Sequence, residues 1–183
     1  MLLSEAELLQ RARQADEQAL GAIYDTYSPR LYGYAYRLSG EEALTKDVVA
    51  ETFYRFLLAL RGGGGPREHL AAYLYRVAYH LVVDHARRQP RAYLSLEESL
   101  IAADADPGEG ADEREAQARA RAALWQLTAK QQQVIILKYF EGLSNGEVAT
   151  ALDKPVGAVK SLQSRALAAL RRMLSQESEG VSP

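Results

Sequence analysis

The sequence has no cysteine among its 183 residues, which excludes a disulfide framework and any thiolate metal or redox site. No apolar run approaches the roughly 20 residues that cross a bilayer. Met1 is followed by acidic, helix-forming sequence and not by a signal-peptide pattern, so a soluble, cytoplasmic protein is expected. Convincing β-rich runs are missing as well. So are a nucleophile elbow and a catalytic triad string, and the glycines from Gly62 to Gly65 lack the Lys-Ser/Thr that a phosphate-cradling loop requires. No catalytic residue, cofactor or metal is expected. What is present is apolar content of 48%, ample for packed cores.

Excess charge of one sign is also lacking, since the formal net charge is −2, but that sum hides a pattern. From Arg67 to Arg91 the local balance is +3, from Glu97 to Glu115 it is −7, and from Lys130 to Arg172 it is +4. Two basic modules flank an acidic stretch, an arrangement compatible with nucleic-acid binding.

Nearly everything outside the middle reads as helix. Ser4 with Glu7 is a capping-box signature, and Asp16 can cap the next helix through Leu20, Ile23, Tyr24 and Tyr27. Ser28-Pro29 predicts a fresh helix start, because proline is favoured at a first helical position. Leu31, Tyr34, Ala35 and Leu38 form the stripe of that following helix, closed by Ser39-Gly40. A helix from about Glu41 to Leu60 carries Val49, Phe53, Phe56, Leu57 and Leu60 on one side. The four glycines break it, and Pro66 is expected to open a helix to about Arg88, buried through Leu70, Leu74, Val77, Leu81 and Val82. These segments make one helical domain over residues 1–92.

Residues 93–111, with Asp104, Asp106, Pro107, Gly108 and Gly110, read as a flexible acidic linker. Helix resumes near Asp112. Thr128 with Gln131 caps one helix and Ser144 with Glu147 a short second one. Asp153-Lys154-Pro155 then interrupts before a last helix from about Val156 to Leu174. A short helix, a tight turn and a longer helix form a helix-turn-helix over residues 112–175, leaving a tail at 176–183. The fold class expected is all-α, with two small helical domains. In a helix-turn-helix the second helix enters the major groove, N-terminal residues toward the bases. Lys160, Ser161, Gln163, Ser164 and Arg165 stand there, with Lys154 in the turn before them, while Val159, Leu162, Ala166 and Leu170 face the core.

His80, Asp84 and His85 could chelate a metal from one helix face, but only scattered acids and His69 offer a further ligand. A structural role is the expected one.

The stretch LTAKQQQVIILKYFEGLSNGEVATALDKPVGAVKS resembles the promoter-reading C-terminal domain of the sigma-70 family. YDTYSPRLYGYAYRLSG, KDVVAETFYRFLLAL and AAYLYRVAYHLVVDHARR resemble its N-terminal domain. With no intermediate domain between them, the match is to the extracytoplasmic-function (ECF) sigma factors. The resemblance implies that the helix with Asp47, Val48, Glu51, Thr52, Phe53 and Phe56 docks on core RNA polymerase. It implies that Arg61, Arg67, Tyr73, Tyr75, Arg76, Tyr79, His80, Arg87 and Arg88 capture the −10 element as single strand, where aromatic faces meet bases and cations meet phosphates. The −35 element falls to Lys154, Lys160, Ser161, Gln163, Ser164 and Arg165. The resemblance also implies an anti-sigma partner as the expected control, and a linker that threads a basic RNA channel; a solubilising spacer is the alternative reading of the same acidic run. The chain departs from the common family pattern at Ala50 (often Gln), Tyr73 (Trp) and His80 (Asn). It also has Leu162, Leu167 and Ala168 where relatives often carry arginine, so fewer phosphate contacts are expected.

A rival reading comes from the same residues. Gly142-Leu143-Ser144-Asn145, Glu147-Val148-Ala149 and Val159-Lys160 fit a LuxR-type helix-turn-helix regulator almost as well. The all-helical first half distinguishes the two, because a receiver domain would alternate strands with helices.

Overall fold

Residues 4–88, 116, 119–120 and 122–179 are described by the computed structural model, and their regular elements are all helices. The chain divides into two units, taken in turn. The linker expected at 93–111 lies outside the described residues.

Helix α1 (Glu5–Arg13) begins at the capping box. Ser4 Oγ accepts the Glu7 N–H at 3.3 Å, and the Glu7 carboxylate accepts the Ser4 N–H at 2.8 Å. Asp16 caps α2 (Glu17–Ser39) by accepting the Ala19 N–H at 3.1 Å, and it pairs with Arg11 at 2.7 Å. The Ala19 N–H and the Arg11 guanidinium hold the Asp16 carboxyl below the ordinary carboxylate range. Its contribution to stability is therefore present above the unfolded-state value and lost as pH falls through the lowered one.

Pro29 does not start a helix. It lies inside α2, which is continuous over 23 residues. The reason is the stripe that Ala19, Ile23, Leu31, Tyr34, Ala35 and Leu38 bury, whose helical period crosses Pro29 without a break. Proline removes one hydrogen bond to the carbonyl of Asp25, but both residues are exposed, so water can serve that carbonyl. Burial of the stripe outweighs the local preference.

Gly40, at φ 66°, ends α2. At this corner the buried hydroxyls of Ser39 and Thr45 meet at 3.2 Å, and Thr45 Oγ1 donates to the Glu41 carbonyl at 2.7 Å. Helix α3 (Glu42–Arg61) follows, then the glycine loop, then α4 (Leu70–Arg88). Pro66 was expected to open α4 but is a buried loop residue. The helix starts only after His69, whose φ of 57° interrupts a helical path. Helices α2, α3 and α4 pack on one another around Tyr34, Phe56, Leu70, Leu74, Tyr75 and Val82, each at most 2% exposed. Val77 and Leu81 are only half-buried; Tyr75 and Ala78 fill the centre in their place.

In the second unit Thr128 and Gln131 form another capping box ahead of α5 (Ala129–Ile135). This helix runs directly into a π-helical turn, Ile136–Phe140. Gly142, at φ 72°, ends that turn, and Ser144 and Glu147 cap α6 (Asn145–Leu152) reciprocally at 2.8 and 3.2 Å. Asp153 turns the chain with φ 51°, a conformation that Asp tolerates better than most residues, and α7 (Val156–Glu179) packs on α5. Val134, Ile136, Leu137, Val148, Val159 and Ala166, each fully buried, are the core.

Exchanging Pro29 for alanine is expected to raise stability by about 1–3 kcal/mol, the helix-interior penalty of proline less its effect on the unfolded chain. A higher urea midpoint at unchanged m-value checks this.

Candidate functional site

Helix α3 carries two stripes. Val48, Thr52, Phe53 and Phe56 are 2%, 0%, 8% and 1% exposed, so these four candidates do not present a docking surface. They seat the helix instead. Thr52 Oγ1 donates to the Val48 carbonyl at 2.7 Å, Phe53 lies against Tyr24 at 4.8 Å between ring centroids, and Phe56 lies against Tyr73 at 6.1 Å. The outward stripe holds Asp47, Ala50, Tyr54, Leu57, Leu58 and Arg61, all exposed. Glu51 is half-buried and bound by Arg55 at 2.7 Å, whereas Asp47 forms no ion pair among the described residues. Tyr54, Leu57 and Leu58 are half exposed or nearly so, an apolar patch next to Asp47 that the sequence reading missed. The signal was available. The run FLLAL has apolar residues all round the helix, more than one core-facing stripe can use.

The loop and α4 divide the same way. Tyr75 is 1% exposed and meets Tyr34 edge-on at 4.9 Å, which makes it a core aromatic and removes it from the candidate strand-binding set. Arg76, His80 and Arg88 are exposed, with Tyr73 half-buried on the same face at helical spacing from Arg76 and His80. Tyr79 is half-buried, its ring 6.0 Å from that of His80. Burial pushes the Tyr73 phenol up, against the opposing pull of Arg55, so it is neutral at pH 7 and can donate a hydrogen bond. Arg61 and Arg67 are exposed at either end of the glycine loop. The side chain of Arg87 lies outside the described residues.

On α7, Val159 and Ala166 are fully buried, with Leu162 and Leu170 half-buried on the same stripe. That fixes the rotation of the helix. Lys160, Ser161, Ser164 and Arg165 therefore face outward, all exposed. Arg165 lies back along the helix, donating to the Ser161 carbonyl at 3.3 Å and the Ser161 Oγ at 3.1 Å. Gln163 is half-buried, and its Nε2 donates to the Tyr139 hydroxyl at 2.8 Å. Tyr139 follows the buried run from Gln132 to Leu137. It lies in the π-helical turn and is 53% exposed, with Phe140 beside it at 54%. Lys154, half-buried, is tied by its N–H to the Ala149 carbonyl at 2.9 Å in the turn between α6 and α7.

Known proteins bear on both units. Residues 23–92 match Sigma-70 region 2 and residues 117–170 match Sigma-70, region 4. The chain is 32% identical over 174 residues to the ECF RNA polymerase sigma factor BldN of Streptomyces coelicolor, a match that covers 93% of this chain and 66% of that protein. It is 32% identical over 169 residues to the ECF RNA polymerase sigma factor SigL of Mycobacterium tuberculosis, covering 90% and 94%. SigW of Bacillus subtilis is 28% identical over 177 residues, at 91% and 94% coverage. Among solved structures, CnrH in complex with the cytosolic domain of CnrY has a TM-score of 0.71 at 24% identity, covering 94% of this chain and 97% of that one. The sigma factor RpoE, bound to the anti-sigma factor NepR from Bartonella quintana, has 0.67 at 22%, covering 85% and 96%. These two likenesses are of fold. The family rests on the sequence matches, which span both units and most of the chain's length: the chain belongs to the ECF RNA polymerase sigma factors of the sigma-70 family.

Proposed function

We propose that this chain binds core RNA polymerase and directs it to promoters, leaving the chemistry of RNA synthesis to the core enzyme. The observation that carries this reading is the pairing, in one chain, of an outward recognition helix with a region 2 domain that displays Asp47 beside an apolar patch. A LuxR-type regulator would account only for the first. Domain limits of 1–92 and 112–175, with an acidic tether over 93–111, accord with the two family matches.

Docking on the polymerase is assigned to Asp47 with Tyr54, Leu57 and Leu58, an acid on the rim of an apolar patch that suits a basic, partly apolar partner surface. Capture of the opened −10 strand is assigned to Arg61, Arg67, Tyr73, Arg76, His80 and Arg88, which offer the cations and aromatic edges that single strands need. The −35 duplex falls to Lys160, Ser161, Gln163, Ser164 and Arg165. With few cations on this face, binding of the isolated second domain to duplex is weak and only shallowly salt-dependent, and tethering on the polymerase supplies the missing affinity. Control by an anti-sigma partner is expected, since the fold relative RpoE is seen bound to one.

Core enzyme plus this protein should yield promoter-dependent run-off transcripts; duplex binding without initiation would support the LuxR-type reading instead. Asp47→Arg is expected to weaken core affinity about tenfold or more, measured by titration of labelled protein, without loss of fold. Tyr139→Phe removes the hydroxyl that holds Gln163. It should weaken specific −35 duplex binding about 3- to 10-fold while leaving the salt slope unchanged, because no phosphate contact is lost.

A further inference from the structure

A run of four glycines should leave the connection between α3 and α4 with many conformations, because glycine loses the most backbone freedom on ordering. The loop is instead fastened from two sides. Toward α3, the N–H groups of Gly62, Gly63 and Gly64 donate to the carbonyls of Leu58, Leu60 and Ala59 at 3.0, 3.0 and 2.9 Å. On the other side a single guanidinium takes the next three carbonyls. Arg13, the last residue of α1, donates from Nη1 to Gly64 O at 2.6 Å and from Nη2 to Gly65 O at 3.2 Å and Pro66 O at 2.7 Å. Beyond the run, five residues after Gly65, Glu5 Oε1 of the same helix accepts the otherwise unpaired Leu70 N–H at 3.3 Å, capping α4. Helix α1 thus holds the backbone on either side of Arg67, at Gly64–Pro66 and at Leu70.

The glycines are needed for this shape. Gly63 and Gly65 have φ of 74° and 80°, and a Cβ on Gly65 would come within 3.3 Å of Leu60 Cδ2. Glycine permits the path, and Arg13 selects it from the others glycine would allow. Only arginine has the geometry, because three carbonyls converge on a planar fork of donors that an ammonium cannot reproduce.

We propose that Arg13 is a positioning residue for promoter opening: by clamping the glycine loop it presets the surface on which an unstacked −10 base is read. This rests on the reading of residues 61–88 as the −10 strand-binding segment. A preset loop discriminates between bases because the wrong base cannot reshape it, whereas a loose loop adapts to any of them.

The test uses the full chain with core RNA polymerase on a template library randomised over the −10 element, read by sequencing single-round transcripts. The wild-type protein is expected to penalise a mismatch at the captured position by about 5- to 150-fold. Arg13→Lys and Arg13→Met should both reduce that penalty to about threefold or less, since the fork is lost in each. Core affinity, −35 preference and the salt slope of promoter binding should stay as in wild type, which shows that the variants are folded. If Arg13 were instead a phosphate contact, Arg13→Lys would keep the preference and Arg13→Met would lower the salt slope by about one; that result overturns the proposal. Gly65→Val, which disturbs the loop directly, separates the two layers. If it alters −10 preference and Arg13→Lys does not, the clamp is refuted while the loop keeps its role. If neither alters it, the loop is not the reader and both ideas fall.

Discussion

Tyr34 of α2 and Tyr75 of α4 meet edge-on at 4.9 Å with both side chains sealed from water, and the first unit is organised around that contact. An edge-to-face pair is worth about 0.5–1.5 kcal/mol beyond the area it buries, and it also fixes how two helices are rotated about their axes. With α2 and α4 so set, α3 closes the core with Phe56 and Val48 inward. Its opposite stripe, from Asp47 through Leu58, is then turned to the outside. The candidate polymerase-binding surface is a consequence of core packing.

The same dependence runs through α4 and α7. Tyr75, Ala78 and Val82 face the core, so Arg76 and His80 cannot. Val159 and Ala166 face the core, so Lys160, Ser161, Ser164 and Arg165 cannot. A helix with 3.6 residues per turn offers a narrow buried face, and what recognition chemistry it can display is what that face leaves over. Both candidate DNA-facing surfaces are therefore carried on helices seated by side chains at most a few per cent exposed. The glycine loop is the exception, and its order comes from Arg13 and the end of α3.

The resemblance read from the strings around Asp47, Tyr73 and Lys160 accounts for why the family was legible without coordinates. Those strings encode helix caps, apolar periods and turn residues in a fixed order, all local properties. Ser4–Glu7, Thr128–Gln131 and Ser144–Glu147 form the reciprocal caps expected of them, and Gly40 and Gly142 end their helices in the left-handed region. Where a long-range term competed, local signals failed. Pro29 lies within a helix because the buried stripe of α2 continues across it, and Pro66 lies in a loop because the path from Gly62 to His69 is held by other elements.

From the sequence alone came the all-helical class, the two modules with an acidic stretch between them, and the kind of residue each surface would offer. Periodicity, capping and charge reside in neighbouring residues, and those can be read in one dimension. Tertiary structure alone decided which aromatic or acid among near neighbours faces outward. Tyr75, Phe53 and Phe56 went to the core, Tyr54 and Tyr139 to the surface, and Arg13 crossed 51 residues to take hold of Gly64. Those outcomes depend on the rotation of each helix against its partners and on contacts between segments far apart in the chain. Neither is a property of any one segment.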